Sequence, residues 1–143
     1  MNLSKILSIS GKSGLYKLIS QSKNSFIVEA LETQQRFPVF AQDGIATLDN
    51  ISIFTDDKDV SLSLVLQNIY KKENGESVNI SLNDAKELKS FFAEVLPEYD
   101  RERVYTSNIK KVITWYNLLL KYNLVDLDSD TEEQTENDNE NKA

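Results

Sequence analysis

Three residues near the start of the chain, Gly11-Lys12-Ser13, match the end of the phosphate-binding P-loop motif. In that motif, backbone N–H groups of a glycine-rich loop cradle phosphates between a strand and a following helix. The motif also needs a glycine five positions earlier, where this chain has Ile6. The apolar spacing over residues 3–9 predicts a short helix before a strand, which is the reverse order. We therefore interpret the segment as a glycine turn rather than a nucleotide site.

Alternating carboxylates near the end of the chain, at Asp126, Asp128 and Asp130, match the first ligand positions of an EF-hand calcium loop. That loop requires glycine at its sixth position and glutamate at its twelfth, and here these are Thr131 and Asn137. The spacing therefore indicates an acidic tail, not a calcium site.

A second acidic cluster, Asp56, Asp57 and Asp59, could hold Mg²⁺ weakly, because hard cations prefer carboxylate oxygens. It also precedes a predicted helix, whose N-terminal dipole favours negative charge. The second interpretation is preferred, and the sequence predicts no metal site and no cofactor.

The chain contains neither cysteine nor histidine. Disulfides, thiolate nucleophiles, Cys/His zinc sites and triads with an imidazole base are therefore excluded. A hydrolase or transferase that uses only Asp, Glu, Lys, Ser or Tyr stays open as the third functional hypothesis, with no predicted catalytic residue.

The net charge of −7 is concentrated in one segment. Residues 1–60 carry −1 and residues 61–125 carry +1, whereas residues 126–143 carry −7. The last segment has almost no apolar side chain, so it cannot offset its ordering entropy by burial. We predict a disordered acidic tail over residues 126–143.

The first part of the chain has the pattern of a small β domain. Gly and Ser turns separate short runs rich in aromatic and β-branched residues, at residues 15–19, 26–31, 36–41 and 51–55. Pro38 confines its run to a sheet edge or a bulge, since proline cannot donate to a strand partner. A helical turn precedes ISIFT, the expected last strand. This order predicts an SH3-like barrel over residues 1–58.

Aromatic side chains are frequent in this predicted barrel. They would either fill its small core or, where they point outward, form the groove with which such barrels grip peptides or nucleic acid. The first alternative is preferred, and the residues concerned are Tyr16, Phe26, Phe37, Phe40 and Phe54.

Residues 59–125 have the 3.6-residue apolar period of helices. In the last helix the apolar arc covers more than half of the circumference, and Trp115, Leu118 and Tyr122 widen it. Such a helix must be covered on two sides. Either other elements of this chain cover the arc, or these three residues are the contact with a protein partner or with a second copy in a homodimer.

The opposite side of the last helix is polar and could touch phosphates if the C-terminal helices form a helix-turn-helix. Because the body of the chain is neutral, a solvated surface is the preferred interpretation. The residues predicted for such a nucleic-acid contact are Lys110, Lys111, Asn117, Lys121, Arg101 and Arg103.

Several separated blocks of the chain occur in the same order in one known family. They are LSKILSISGKSGLYKLISQSKNSFIVEAL, RFPVFA, ISIFT and RVYTSNIKKVITWYNLL. The chain thereby resembles an uncharacterised family from Bacteroidetes bacteria, a domain of unknown function with an N-terminal and a C-terminal part. The resemblance covers residues 1 to about 125. It implies two folded parts in a bacterial cytoplasm, and it brings no activity, ligand or catalytic residue.

The sequence thus predicts an α+β protein: an SH3-like barrel, a helical domain over residues 59–125 and the acidic tail. No segment approaches a membrane-spanning run, so we expect a cytoplasmic protein without a membrane partner. The leading functional hypothesis is a non-enzymatic protein-binding or adaptor protein. The alternative is a nucleic-acid or ribosome-associated module in which the acidic tail competes for the basic strip.

Overall fold

A computed structural model describes residues 3–12 and 14–123. Contacts divide the chain after Ile51 into two compact units, which we call the N-terminal and the C-terminal unit. This division lies seven residues before the predicted domain boundary at residue 58. The predicted acidic tail lies outside the described residues.

The N-terminal unit is built on one antiparallel sheet of five strands in the order β4-β3-β2-β1-β5. The strands are β1 (Ile6–Ile9), β2 (Tyr16–Gln21), β3 (Ser25–Ala30), β4 (Arg36–Phe40) and β5 (Ile45–Thr47). A 3₁₀ turn at Ala41–Asp43 precedes β5, and a second turn at Leu48–Asn50 follows it. The expected α+β class is confirmed in its coarse form.

The prediction of a helix over residues 3–9 was wrong, because Ile6–Ile9 is a strand. It lies inside the sheet between β2 and β5, where Leu7 pairs with both Tyr16 and Thr47. Ile6, Leu7 and Ile9 are all buried. A strand that is covered on both faces has no alternating pattern, so its short apolar run cannot be distinguished from a turn of helix.

The register of the sheet gathers the core of this unit on one face. Tyr16 is opposite Ala30, and Val28 is opposite both Leu18 and Phe37. Directly opposed residues in antiparallel strands project to the same side. The resulting cluster has a buried centre, at Leu7, Ile9, Tyr16, Val28 and Val39, with partly buried neighbours at Leu18, Phe26, Ala30, Phe37 and Ile45.

The β4 edge of the sheet is a weak template for another strand. β4 is an edge, as Pro38 predicted. In antiparallel strands, pairs that share hydrogen bonds alternate with pairs that do not. The Ala30 amide donates to the Gln35 carbonyl at 2.9 Å, so Ile27–Pro38, three positions along, is a pair without mutual hydrogen bonds. The missing N–H of Pro38 therefore faces the outer edge and weakens it as a template for further pairing. Among the described residues, no pairing of β4 with β5 closes the sheet into a barrel.

The segment predicted as the last barrel strand pairs elsewhere, which corrects that assignment. Its strand, β6 (Ser52–Ile53), pairs with β7 (Val60–Ser61) in a separate two-stranded ribbon of the C-terminal unit. The buried Thr55 reverses the chain between them. Its hydroxyl accepts hydrogen bonds from the amides of Asp57 (3.2 Å) and Lys58 (2.9 Å) and donates to the Lys58 carbonyl.

Three helices complete the C-terminal unit: α1 (Leu62–Lys72), α2 (Ala85–Val95) and α3 (Thr106–Lys121). Ser61 caps α1 by accepting from the Leu64 amide at 3.3 Å, and Asp84 caps α2 through the amides of Lys86 and Glu87. All three helices contribute fully buried apolar side chains. Of the helices in the described ranges, none is both long enough and apolar enough to span a bilayer.

α3 also anchors the irregular connection between α1 and α2. The Tyr116 hydroxyl donates to the Glu76 carbonyl at 2.7 Å. The Asn117 side chain accepts from the Val78 amide at 2.8 Å and donates to the Val78 carbonyl at 3.1 Å. One asparagine thus satisfies both backbone groups of a residue that is only 7% exposed, as a neighbouring strand would.

Candidate functional site

A concave site lies at one end of the sheet in the N-terminal unit. Two chain reversals form its walls: the turn from β1 to β2 contributes Lys12 and Gly14, and the turn from β3 to β4 contributes Glu32, Thr33 and Gln35. The ends of the strands supply its apolar floor, at Leu15, Tyr16, Ala30, Leu31 and Phe37. We call this site the end groove.

Two aromatic rings order the floor of the end groove. Tyr16 and Phe37 meet edge to face, with ring centroids 5.8 Å apart and planes at 84°. This arrangement sets the positive edge of one ring against the negative face of the other. Tyr16 is buried, whereas Phe37 is partly exposed. The floor therefore presents a partly exposed aromatic ring packed against a buried one.

Lys12 lies above this floor, with its Nζ 5.4 Å from the centroid of the Phe37 ring. The ring attracts the ammonium group weakly and holds it over the groove. On the other side, Glu32 Oε1 comes within 3.6 Å of the place where a Cβ on Gly14 would stand. Gly14 has φ +84°, so a side chain there would strain the turn, although a Cβ would only touch the carboxylate at an ordinary contact distance.

The two charged residues that line the end groove come from different turns, Lys12 from the β1–β2 turn and Glu32 from the β3–β4 turn. Among the described residues, neither Lys12 nor Glu32 forms an ion pair within 4 Å. The groove volume is about 310 Å³, at the low end of the range for ligand pockets. It is large enough for one or two side chains, but it would not enclose a typical cofactor.

The predicted partner contact on α3 is only partly available. Leu118 is buried within the chain, at 8% exposure, whereas Trp115 and Tyr122 are partly exposed. Trp115 and Tyr122 are seven residues apart and so lie on the same side of the helix. Of the three residues that widen the predicted apolar arc, only Trp115 and Tyr122 are therefore accessible. A homodimer through them stays a prediction.

Some of the residues predicted for the nucleic-acid contact have partners within the chain. Asn117 is committed to Val78 through both of its polar atoms. Arg101 stacks on the Tyr99 ring, 4.0 Å from its centroid, and donates to the carbonyls of Pro97 and Tyr99. Arg103 also has local partners, so three of the six predicted residues contribute to local structure: Asn117, Arg101 and Arg103.

Arg103 is paired in the same loop. Its Nε donates to Asp100 Oδ2 at 2.8 Å, and its guanidinium group lies over the exposed Phe54, 4.2 Å from the ring centroid. The hydrogen bond from Arg103 is the main cause that lowers the pKa of Asp100, with help from backbone N–H donors. The same bond raises the pKa of Arg103, and Asp59 adds to the effect. Nearby carboxylates thus already compensate this arginine.

The remaining three residues of the predicted nucleic-acid contact are lysines of α3: Lys110, Lys111 and Lys121. All three are exposed, and α3 contains no acidic residue. Within the part of the chain that the structure describes, none of them forms an ion pair. The acidic cluster of Asp56, Asp57 and Asp59 lies in the exposed turn before β7. No three acidic residues in the described ranges converge on a candidate metal position.

Sequence analysis discussed several residues of the end groove, but it did not predict that they lie together. Lys12 was noticed only as a letter of a P-loop motif, and Phe37 only as one of five barrel aromatics. Of the others, Phe40 is exposed on the opposite face of β4, and Phe54 belongs to the C-terminal unit. No local pattern indicated Glu32, because its place beside Gly14 depends on the β2–β3 pairing.

Comparison with known proteins gives a family but no activity. Residues 3–48 match the model of a domain of unknown function (DUF5606), and residues 51–119 match the model of another (DUF6852). No curated protein matches the chain. The chain is similar to a protein from Bacteroides vulgatus, a structural genomics target whose structure was solved by solution NMR. The two are 47% identical, the TM-score is 0.73, and the match covers 88% of this chain and 91% of that one. The chain therefore belongs to a Bacteroidetes family of unknown function that joins these two domains.

Proposed function

We propose that this protein is a non-enzymatic binding protein whose end groove holds a short extended segment of a partner protein. The observation that carries the proposal is that Lys12 and Glu32, opposite charges without an ion pair among the described residues, line one groove with the Tyr16–Phe37 ring pair. The proposed segment has an apolar side chain for the floor, an acidic residue beside Lys12 and a basic residue beside Glu32.

The fold supports this use of the groove. β1 to β4 are consecutive neighbours, β5 returns beside β1 after a 3₁₀ turn, and β2 carries an irregularity between Leu18 and Ser20 that bends it. These features support an SH3-like barrel, which we propose for the N-terminal unit. Small barrels of this kind bind extended peptides in aromatic-lined grooves. The proposed location is the cytoplasm.

Electrostatics favour a peptide over nucleic acid at this site. A phosphate that approaches Lys12 also approaches Glu32, and the two charges cancel its attraction. A peptide can place one side chain of each sign. Charged groups at the rim of an interface add little affinity, about 0.2–1 kcal/mol for an exposed pair, but they select the partner and its direction.

The test begins with selection from a random peptide library on the full chain. Enriched peptides are then titrated by calorimetry against the full chain and its variants. Phe37→Leu removes the ring but keeps an apolar side chain, and we expect binding to weaken about threefold to tenfold, from an aromatic contribution of about 0.5–1.5 kcal/mol. Phe40→Leu is the matched control, because Phe40 lies on the same strand and projects from the other face.

A charge exchange tests the mechanism of selection. Lys12→Glu combined with Glu32→Lys keeps the net charge, and both side chains are exposed, so the fold should be unaffected. The double variant should prefer peptides in which the acidic and basic residues are interchanged. The proposal is abandoned if no peptide is enriched, or if all of these variants bind the enriched peptides equally.

A second function rests on α3. The three lysines without ion pairs favour weak, salt-dependent contact with a polyanion such as single-stranded nucleic acid. Binding of an oligothymidylate should then weaken when Lys110, Lys111 and Lys121 are changed to Gln, and it should not respond to changes at Lys12.

A further inference from the structure

Asn74 is the only asparagine of the chain that precedes a glycine. This dipeptide has a reaction of its own, in which the Gly75 backbone nitrogen attacks Cγ of the Asn74 side chain and a five-membered succinimide ring forms. The nitrogen gives up its hydrogen, which leaves with the side-chain amide group as ammonia. Water then opens the ring at either carbonyl carbon and leaves an aspartate or an isoaspartate. Glycine favours ring closure, because it has no side chain to crowd the attacking nitrogen.

The fold places this dipeptide in the turn that ends α1. Asn74 and Gly75 both have left-handed backbones, with φ +56° and +82°. The Gly75 amide donates to the Tyr70 carbonyl at 2.9 Å, and the Asn74 amide donates to the Lys71 carbonyl at 3.3 Å. These two bonds form a Schellman motif with asparagine in the left-handed position, and we call this arrangement the α1 cap.

The α1 cap engages the atom that the reaction needs. Ring closure removes the hydrogen of the Gly75 amide, and this is the hydrogen that the amide donates to the Tyr70 carbonyl. The Tyr70 ring also covers Gly75, since its Cζ and hydroxyl oxygen stand 3.3 Å from the place of a Cβ on Gly75. Asn74 itself is exposed, so water and base reach its side-chain amide. The cap, rather than burial of the asparagine, therefore controls the reaction.

The residues after the α1 cap connect it to α3. The Glu76 carbonyl accepts from the Tyr116 hydroxyl at 2.7 Å, and Asn117 holds both backbone groups of Val78. An isoaspartate at position 74 inserts one extra carbon into the main chain before this connection. Either product also adds a negative charge at the C-terminal end of α1, where the helix dipole disfavours it. Both changes oppose closure of the cap after the reaction.

We propose that Asn74 is a site of spontaneous deamidation, and that in the folded chain it reacts only when the α1 cap opens locally. The cap hydrogen bonds slow the reaction while they last. Once the reaction has occurred, the isoaspartate form loosens the attachment of the following segment to α3. This proposal does not depend on the peptide-binding function of the end groove.

The first test compares deamidation of the folded full chain at pH 8.5 with that of the same chain unfolded in guanidinium chloride. The tryptic peptide 73–86 reports the product by its mass and by chromatographic separation of the isoaspartate form. Asn79 in the same peptide precedes isoleucine and serves as the internal reference. Two hydrogen bonds of ordinary strength should slow the reaction at Asn74 about tenfold or more in the folded chain. Equal rates at Asn74 in the folded and unfolded chains would overturn the proposal.

Hydrogen exchange tests the mechanism, because exchange and ring closure both require release of the Gly75 N–H. The exchange of this amide, measured by magnetisation transfer from water, should be slowed by roughly the same factor as deamidation. Tyr70→Ala removes the covering ring, and the loss of apolar contact should accelerate both processes about threefold or more.

Thr55→Val is the matched control for local opening. The Thr55 hydroxyl bonds within its own turn, to Asp57 and Lys58, so this variant should leave both rates at the α1 cap unchanged. Local opening is refuted if Tyr70→Ala accelerates neither process. It is also refuted if Thr55→Val accelerates them as much as Tyr70→Ala does, since global unfolding would then be what exposes the site.

The effect on α3 is measured in the isolated isoaspartate form. The Val78 amide, which donates to Asn117, should exchange faster in this form than in the unmodified chain. The Val28 amide, in the sheet of the N-terminal unit, is the control and should exchange as before. An unchanged exchange rate at Val78 would contradict the loosening.

Discussion

Asn117 gives the sharpest prediction about stability. Its side chain satisfies both the N–H and the carbonyl of Val78, at 2.8 and 3.1 Å, and Val78 is 7% exposed. Each such hydrogen bond contributes about 1 kcal/mol net, and a buried group left without a partner costs about 1–3 kcal/mol. Asn117→Leu should therefore lower the free energy of unfolding by about 2–3 kcal/mol.

The assay is urea unfolding followed by the fluorescence of Trp115, the single tryptophan, which lies two residues away on α3. With a slope of about 1–3 kcal/mol per molar urea, a loss of 2 kcal/mol moves the midpoint by about 1–2 M. Asn50→Ala is the control, because its amide donates only to the exposed Thr47 hydroxyl. A loss below about 0.5 kcal/mol in Asn117→Leu would refute the reasoning.

The variant Asn117→Asp should make the free energy of unfolding depend on pH. The introduced carboxylate can still accept from the Val78 amide, but it faces the Val78 carbonyl with an oxygen instead of a donor. Protonation restores a donor, so the folded chain should raise the pKa of this carboxyl. The destabilisation should be complete at neutral pH and should decrease as the pH falls towards 4. The same loss at pH 4 and pH 7 would contradict this hydrogen-bond assignment.

Three further predictions concern single side chains. Burial raises the pKa of Tyr116 to about 12. The unfolded chain therefore loses this proton at lower pH than the folded chain does. As a result, the free energy of unfolding should fall between about pH 10 and pH 12. Tyr116→Phe should remove that slope and, because the bond to the Glu76 carbonyl is lost, cost about 1 kcal/mol at pH 7 in urea unfolding. Thr55→Val should cost about 1–3 kcal/mol, since the hydroxyl bonds in the turn are lost at a residue 2% exposed; an unchanged urea midpoint would show that the turn does not need them. Pro38→Val should supply an N–H to the outer edge of β4 and increase aggregation on heating, measured by light scattering, and identical scattering would contradict the edge assignment.

Local patterns in the sequence predicted those elements whose residues carry their own signals. Pro38 indicated an edge strand, and the apolar period of residues 106–121 indicated a helix. Both signals arise within a few residues of the element they describe. The strands β2, β3 and β4 and the three helices follow from signals of this kind.

The failures concern features that depend on distant partners. Ile6–Ile9 is a strand because β2 and β5 flank it, and Ser52–Ile53 leaves the sheet because the Thr55 turn pairs it with β7. Leu118 was one of the predicted partner contacts and is 8% exposed, because a helical wheel cannot show which sides of a helix the rest of the chain covers. Asn117 bonds to a residue 39 positions away, so no window along the sequence could have found it.

Prediction of the end groove needs both local patterns and the pairing of distant residues. Its aromatic residues were among those weighed as a groove, but their selection required the register of β2, β3 and β4. That register brings two turns together, so that Lys12 and Glu32 line one groove. Charge counts over whole segments could not reveal this local pair.

The most direct test of the central claim maps the amide signals of the full chain during titration with a selected peptide. If the end groove is the binding site, the largest shifts should fall on Lys12, Tyr16, Glu32, Gln35 and Phe37. The charge-exchanged variant should show them with the charge-inverted peptide instead. Shifts centred on Trp115 and Tyr122, with the end groove unchanged, would contradict the account and assign the partner to α3.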